Sequence, residues 1–359
     1  MLTKKGFITG FTIAAAAIWL IGFSIADAQQ NPPNPTTTSA SPTPTPVPTP
    51  DDEVIKVDTE VVNVLFTAQD RNRRLLTDLK QGDIRLLEDG KEQELVAFSR
   101  QVDLPLSLAI LIDTSGSQER TLPEEKAAAI SFLESVVRPA KDEVCIVSFT
   151  GEATLEQGFT NNLTRLRRSV SQVRFIPPSG YIGGGVMTGT PPISGDNQAV
   201  VGSTAIWDAI WVTSDEILGP APEKTRRAII LLSDGVNTFG KKKLDDAVQA
   251  ALRSEAVIYS IGIGDNFYSG VDRGSLNKIS DRTGGRAYFP KDERELREAF
   301  NQIQDEMRSQ YLIAYEPTNQ NRDGVFRKIA IELTNPQMQK DKVKVTHRQG
   351  YFAKTPSKK

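Results

Sequence analysis

The sequence predicts an α/β fold: a doubly wound, mostly parallel sheet, flanked along the chain by antiparallel β segments. Three observations predict it. Leu106–Ile112, Glu143–Phe149 and Ala228–Leu232 are short, nearly unbroken apolar runs, the pattern of strands buried on both faces. Between them lie apolar residues at helical spacing, such as Ile130, Leu133 and Val137, or Leu296, Phe300, Ile303 and Met307. This alternation runs over residues 104–310, while the stretches on either side carry strand patterns only.

Residues 1–28 read as an export signal, with Lys4 and Lys5 before an apolar stretch and Ala26-Asp27-Ala28 as a small-x-small cleavage site. An uncleaved signal anchor is the alternative, and it is the one membrane contact expected. Either way the remainder is expected outside the cytoplasm, secreted or in the periplasm or cell envelope. Residues 29–52 are rich in Pro and Thr, which forbids helix and ladder pairing and favours an extended, solvated linker.

Residues 53–101 form an N-terminal β segment, with strands expected near Val57–Phe66, Asp83–Leu87 and Glu94–Phe98 and a turn at Asp89-Gly90. In the alternating region, helices are expected from near Pro123, over Leu163–Val173, from Ser203, over Leu244–Leu252, over Leu276–Asp281 and over Leu296–Met307. A strand is expected at Val257–Ile263. Residues 177–202, rich in Gly and Pro, read as a long irregular loop beside the site described next, either a plain surface insertion or a loop that sets partner choice.

Residues 311–353 return to β, with strands at Tyr311–Tyr315, Val325–Leu333 and Lys342–His347, and residues 354–359 are a tail. Neither β flank carries enough apolar surface for its own core. The two are therefore expected to pair into one β-sandwich with the α/β domain inserted between them.

The chemistry concentrates after the first buried run. Asp113, Ser115 and Ser117 follow it at intervals of two, with Gly116 between the serines. One carboxylate, two hydroxyls and a tight turn at the carboxyl edge of a strand make a seat for a hard divalent cation. Thr204 at the start of a helix and Asp234 after another buried strand fall at the same sheet edge.

With those five residues, the chain resembles the von Willebrand factor A family over roughly residues 104–310. The resemblance extends to Thr204-Ala205 before Trp207-Asp208-Ala209, to Leu231-Leu232-Ser233-Asp234-Gly235, and to Thr283-Gly284-Gly285. It implies a Rossmann-like fold and a metal-ion-dependent adhesion site. Ser115 and Ser117 would bind Mg²⁺ or Mn²⁺ directly, Thr204 directly or through water, and Asp113 and Asp234 would supply the charge. An acidic side chain of a protein ligand would complete the coordination. In relatives, a shift of the last helix accompanies rearrangement of that site, and here Leu296–Met307 leads straight into strand Tyr311–Tyr315. The flanks resemble a narrower group, VWFA-related proteins exported by Acidobacteria-type bacteria, through Gln81-Gly82-Asp83, Glu88-Asp89-Gly90-Lys91 and Arg348-Gln349-Gly350-Tyr351.

Composition bears on the alternatives. The 359 residues hold 43 basic and 45 acidic side chains, a formal charge of −2, which argues against nucleic acid as a partner. A lone Cys145 and a lone His347 leave no intrachain disulfide, no His-rich zinc site and no evident nucleophile–base pair. No catalytic residue is therefore assigned. Cys145 reads as a packed core thiol and His347 as a surface side chain. The function expected is metal-dependent binding of protein ligands in adhesion or assembly at the cell envelope. A secreted hydrolase and a scaffold with a purely structural metal site are the alternatives.

Overall fold

The computed structural model describes residues 61–100, 103–175, 181–182, 185–186, 203–222, 225–264 and 270–355. All belong to one compact unit, Val57–Lys359. The expected export signal, the linker and nearly all of the 177–202 loop lie outside the described residues.

The N-terminal segment forms β1 (Val62–Gln69), β2 (Ile84–Glu88), β3 (Lys91–Gln93) and β4 (Leu95–Arg100). The α/β region runs β5 (Leu106–Asp113), α1 (Leu122–Val136), β6 (Glu143–Phe149), β7 (Ala153–Thr160), α2 (Leu163–Gln172), the two-residue pair β8 (Tyr181–Ile182) and β9 (Gly185–Val186), and α3 (Ile206–Val212). It continues through a π-helical turn, Thr213–Leu218, to β10 (Arg226–Ser233), α4 (Leu244–Arg253), β11 (Ala256–Gly262), α5 (Arg273–Thr283), β12 (Ala287–Tyr288) and α6 (Glu293–Arg308). The C-terminal segment forms β13 (Tyr311–Tyr315), β14 (Phe326–Leu333), α7 (Pro336–Lys340), β15 (Lys344–His347) and β16 (Gly350–Phe352).

The central sheet has the order β12-β11-β10-β5-β6-β7. Its strands pair in parallel except β7, which returns antiparallel on β6. The apolar runs are explained by what covers each face. In β5, Leu108, Ile110 and Ile112 point into the core beneath α1, α2 and α6, while Ala109 and Leu111 join the core beneath α3, α4 and α5. β10 divides the same way, with Ile230 and Leu232 on one side and Ile229 and Leu231 on the other. Each such aliphatic side chain removed from water contributes about 1.5–3 kcal/mol, so the two-sided burial dominates the stability of this unit. The sequence reading missed β7, because its residues are largely exposed and Leu155 and Phe159 alternate with polar neighbours only briefly.

The flanks complete each other. β1 lies between β15 and β13, and β13 pairs in turn with β4. In the second sheet β14 lies between β16 and β2, and β2 pairs with β3. Every pair of central neighbours thus joins a strand before the α/β region to one after it. The two sheets share a core in which Val64, Phe66, Leu86, Ile313, Tyr315 and Ile329 are buried together. Phe66 stacks on Tyr311 with ring centroids 5.1 Å apart. The Asp89-Gly90 turn joins β2 to β3 with both residues at positive φ, +48° and +82°, as a two-residue hairpin loop demands.

The sandwich is fastened to the α/β region at several points. Gln69 of β1 donates to buried Glu306 of α6 at 2.9 Å, and Arg286 pairs with the same carboxylate at 2.9 Å. Gly284 ends α5 in the left-handed region, where a Cβ would come within 2.6 Å of the Arg348 backbone nitrogen. The expected surface His347 is instead half-buried between strands. Its Nε2 accepts from the Ile331 N–H at 3.3 Å, and burial lowers its basicity.

Candidate metal centre

The register of the parallel strands builds the site. Leu232 of β10 sits level with Ile112 of β5, so Ser233 and Asp113 follow side by side where the two strands end. The Ser233 hydroxyl donates to Asp113 Oδ2 at 2.7 Å. Asp113 Oδ1 accepts the Ser115 backbone N–H at 2.9 Å, which closes the turn that presents the serines. A short 3₁₀ turn over Gly116–Gln118 then brings Ser115 Oγ and Ser117 Oγ to 3.3 Å of one another. Gln118 braces this turn from behind: its side-chain amide donates to Ser117 Oγ at 3.3 Å and to the Ile263 carbonyl at 3.2 Å.

Asp234 enters from the residue after β10. Its Oδ1 accepts the Val236 N–H at 2.9 Å. Gly235 follows with φ +81°, and a Cβ there would lie 2.8 Å from Leu276 and 2.9 Å from the Asp272 carbonyl. Only glycine fits between the end of β10 and α5.

Thr204 does not open the helix as the sequence suggested. It sits in the loop before α3, which begins at Ile206. Its N–H donates to Thr238 Oγ1 at 2.8 Å, its carbonyl accepts from Thr238 N–H at 2.9 Å, and the next residue, Ala205, donates its N–H to the Thr150 carbonyl at 2.7 Å. Those bonds tie the Thr204 loop to the loops after β6 and β10. Among the described residues, no hydrogen bond joins the Thr204 hydroxyl to the serines.

Asp113 is fully buried and Asp234 is 2 % exposed. Burial pushes the Asp113 carboxyl up to about 7, and the neighbouring Asp234 charge adds to the shift against the Ser115 and Ser233 hydrogen bonds. Asp234 is raised too, chiefly by burial, against its bond from Val236. No Lys or Arg pairs with either carboxylate among the described residues. Two buried carboxylates without counter-charge cost several kcal/mol each. A divalent cation beside the Ser115 and Ser117 hydroxyls and these carboxylates would offset that cost, so this donor set fits one. Among the described residues no cluster of three His, Cys, Asp or Glu exists, so hydroxyl oxygens must supply a large part of any coordination here.

Two residues, Glu125 and Ser233, escaped the sequence reading. Glu125, on the buried stripe of α1 with Leu122, Ala129, Phe132 and Val136, has both carboxyl oxygens buried without a hydrogen-bond partner among the described residues. Burial pushes it up to about 8, with the Asp113 and Asp234 charges adding to the shift. Its signal was legible: a glutamate in phase with an apolar helix stripe. Ser233 was equally visible, as the residue before Asp234.

Comparison with known proteins matches residues 196–302 to the family model of the von Willebrand factor type A domain, a span that holds Thr204 and Asp234 but not the Asp113–Ser117 turn. No curated protein matches. Among solved structures, the chain is similar to proximal thread matrix protein 1 from the mussel byssus, at 17% identity over 62% of this chain and 51% of that one, with a TM-score of 0.45. A second structure of that mussel protein, described as having a zinc-occupied MIDAS motif, matches at 18% identity over 61% and 50% of the two chains, with a TM-score of 0.45. The chain thus spans about half the length of the mussel protein. The conserved hypothetical protein BatB of Bacteroides thetaiotaomicron matches at 17% identity over 57% of this chain and 98% of that one, with a TM-score of 0.42. A parallel sheet clothed by helices on both faces and a family match over residues 196–302 lead to one conclusion: the chain carries a von Willebrand factor type A domain.

Proposed function

We propose that the chain binds a protein ligand through a divalent cation, Mg²⁺ or Mn²⁺, held by Asp113, Ser115, Ser117, Thr204 and Asp234. The observation that carries this reading is the pair of buried carboxylates, Asp113 and Asp234, beside the Ser115 and Ser117 hydroxyls 3.3 Å apart. The serines and Thr204 offer neutral oxygens, while the two aspartates supply the charge. When bound, such an ion supplies an electrophilic position that a carboxylate of the partner can fill. The protein's own part is to orient the donors: Ser233 and the Ser115 N–H fix Asp113, Gln118 fixes Ser117, and Thr238 fixes the Thr204 loop.

The reading is of a binding protein without a reaction of its own. Supporting it, Cys145 is buried in β6, and the His347 ring is engaged by Ile331 and Arg348 in the sandwich, away from the site. Export through residues 1–28, with residues 29–52 as a spacer, places the binding face at the cell envelope in adhesion or assembly.

The test is titration calorimetry with MgCl₂ and MnCl₂ on the natural chain and on Asp113→Ala, followed by capture of envelope proteins with Mg²⁺ and with chelator. Saturable uptake lost in the variant, and capture lost with chelator, support the proposal. Absence of uptake of either ion overturns it. Uptake with capture that ignores the chelator leaves a structural ion and overturns the ligand-binding part.

A further inference from the structure

The two edges of the central sheet differ. At one, β7 pairs with β6 through register shifts, irregularities that discourage a further strand from joining. At the other, β12 pairs with β11 in regular register, and no strand covers its outer side. Ser260 of β11 sits level with Ala287 and donates its N–H to the Arg286 carbonyl at 3.0 Å. That register turns the Ala287 N–H and C=O away from β11, because backbone groups alternate in direction along a strand. Among the described residues, no backbone group pairs with either of them.

The outer side of β12 opens into a cleft of about 480 Å³ between α5 and α6, with Ala287, Tyr288 and Phe289 along it. The volume falls within the roughly 300–1,000 Å³ of common ligand sites. Ala287 and Phe289 are half-buried, so the edge can be reached from solvent. A strand of four residues is about 13 Å long, and pairing at an open sheet edge is a recurring way to hold an extended peptide.

The charges on the cleft select the peptide. Of its lining residues, Arg286 is engaged by buried Glu306, and Glu295 and Glu298 are answered by Arg294. Arg73, Arg273 and Lys344 are exposed and make no ion pair among the described residues, against Asp281 as the unpaired carboxylate. The Arg273 guanidinium is held 4.5 Å from the Phe289 ring. Beyond the cleft the positive excess continues. Gln69 of β1 sits level with Lys344 of β15, which sets the loop after β1 beside the loop before β15. Those loops add Lys340 and Lys342, whereas Arg71 and Arg74 are offset by Asp341 and Asp70.

We propose that β12 is a docking edge for an acidic peptide segment of a partner protein. The segment adds as an extended strand against Ala287 and sets its carboxylates among Arg73, Arg273 and Lys344. An open backbone donor and acceptor call for another backbone, and exposed unpaired cations call for carboxylates. The inference is independent of the cation site.

The test is calorimetric titration of acetylated, amidated Glu-Val-Glu-Val-Glu into the full chain. EDTA is present throughout, so the peptide cannot bind through a divalent cation, and failure here is separate from failure of the cation reading. One comparison peptide carries Lys in place of Glu, and another is methylated at every backbone nitrogen and cannot donate to a sheet. Saturable binding of the glutamate peptide, at least tenfold tighter than either comparison, is expected. Ala287→Pro removes the outward N–H while leaving the Arg286 carbonyl to Ser260, and should weaken binding at least tenfold. Lys344→Glu, which reverses an exposed charge, should weaken it severalfold. No saturable binding, equal binding of either comparison peptide, or unchanged affinity in a folded Ala287→Pro or Lys344→Glu overturns the proposal. If a variant fails to fold, the two comparison peptides on the natural chain decide the matter.

Discussion

Ser233 and Asp113 end neighbouring parallel strands, and the Ser233 hydroxyl donates to Asp113 Oδ2 across a gap of 2.7 Å. The same Ser233 oxygen accepts the Gly235 N–H at 3.1 Å, so one side chain aligns the first carboxylate and shapes the turn around Asp234. Ser233→Ala should lower cation affinity by roughly 10–100-fold, the usual loss when a group that orients a metal ligand is removed. Titration calorimetry with MgCl₂ measures this. Affinity within a factor of two of the natural chain would mean Asp113 needs no such orientation.

Glu125 makes stability depend on pH. Its folded-state pKa, about 8, lies above the ordinary glutamate value of 4.5. The folded protein therefore holds this proton more tightly than the unfolded chain. The associated stability is complete below about pH 4.5 and is lost as pH rises through about 8. Glu125→Gln keeps the shape and removes the charge. In chelator it should melt higher than the natural chain at pH 8–9, by roughly 2–4 °C for each kcal/mol recovered. At pH 5 the two should differ little. Thermal melts across that range check the sign, and a variant equally destabilised at both ends would contradict it.

The sandwich depends on both flanks. β1 pairs with β13 and β15, and β2 pairs with β14, so each sheet is half-built from either side of the insertion. A fragment of residues 53–101 should show no cooperative unfolding in urea. Phe66→Ala in the whole chain should cost about 3–5 kcal/mol, because it empties a buried site stacked on Tyr311. A sigmoidal urea transition in the fragment would argue against mutual completion.

Cys145 should be inert. It is buried in β6, and burial pushes its thiol up to about 12, far from the thiolate needed for reaction. Alkylation by iodoacetamide at pH 8 should therefore be negligible in the native protein and complete in urea, as mass spectrometry will read. Rapid native labelling would mean that the strand opens.

Much of this was written locally. The runs around Ile110, Ile146 and Ile230 encode two-sided burial because both faces of a parallel strand meet helices. The α6 stripe of Leu296, Phe300, Ile303 and Met307 is wholly buried, as its spacing demanded. Asp113, Ser115 and Ser117 stood out as turn residues after a buried run, while Thr204 and Asp234 were joined to them through the resemblance to the von Willebrand factor A family. Local patterns failed where partners are distant. Nothing near β7 tells it to return along β6, and the half-buried setting of His347 comes from strands that meet only after the α/β region has folded between them. Likewise, the Ser233–Asp113 bond and the unpartnered Glu125 depend on strand register and helix docking. Periodicity reports which face of an element is apolar; only packing decides which polar groups then find one another, or are left alone, in the dry interior.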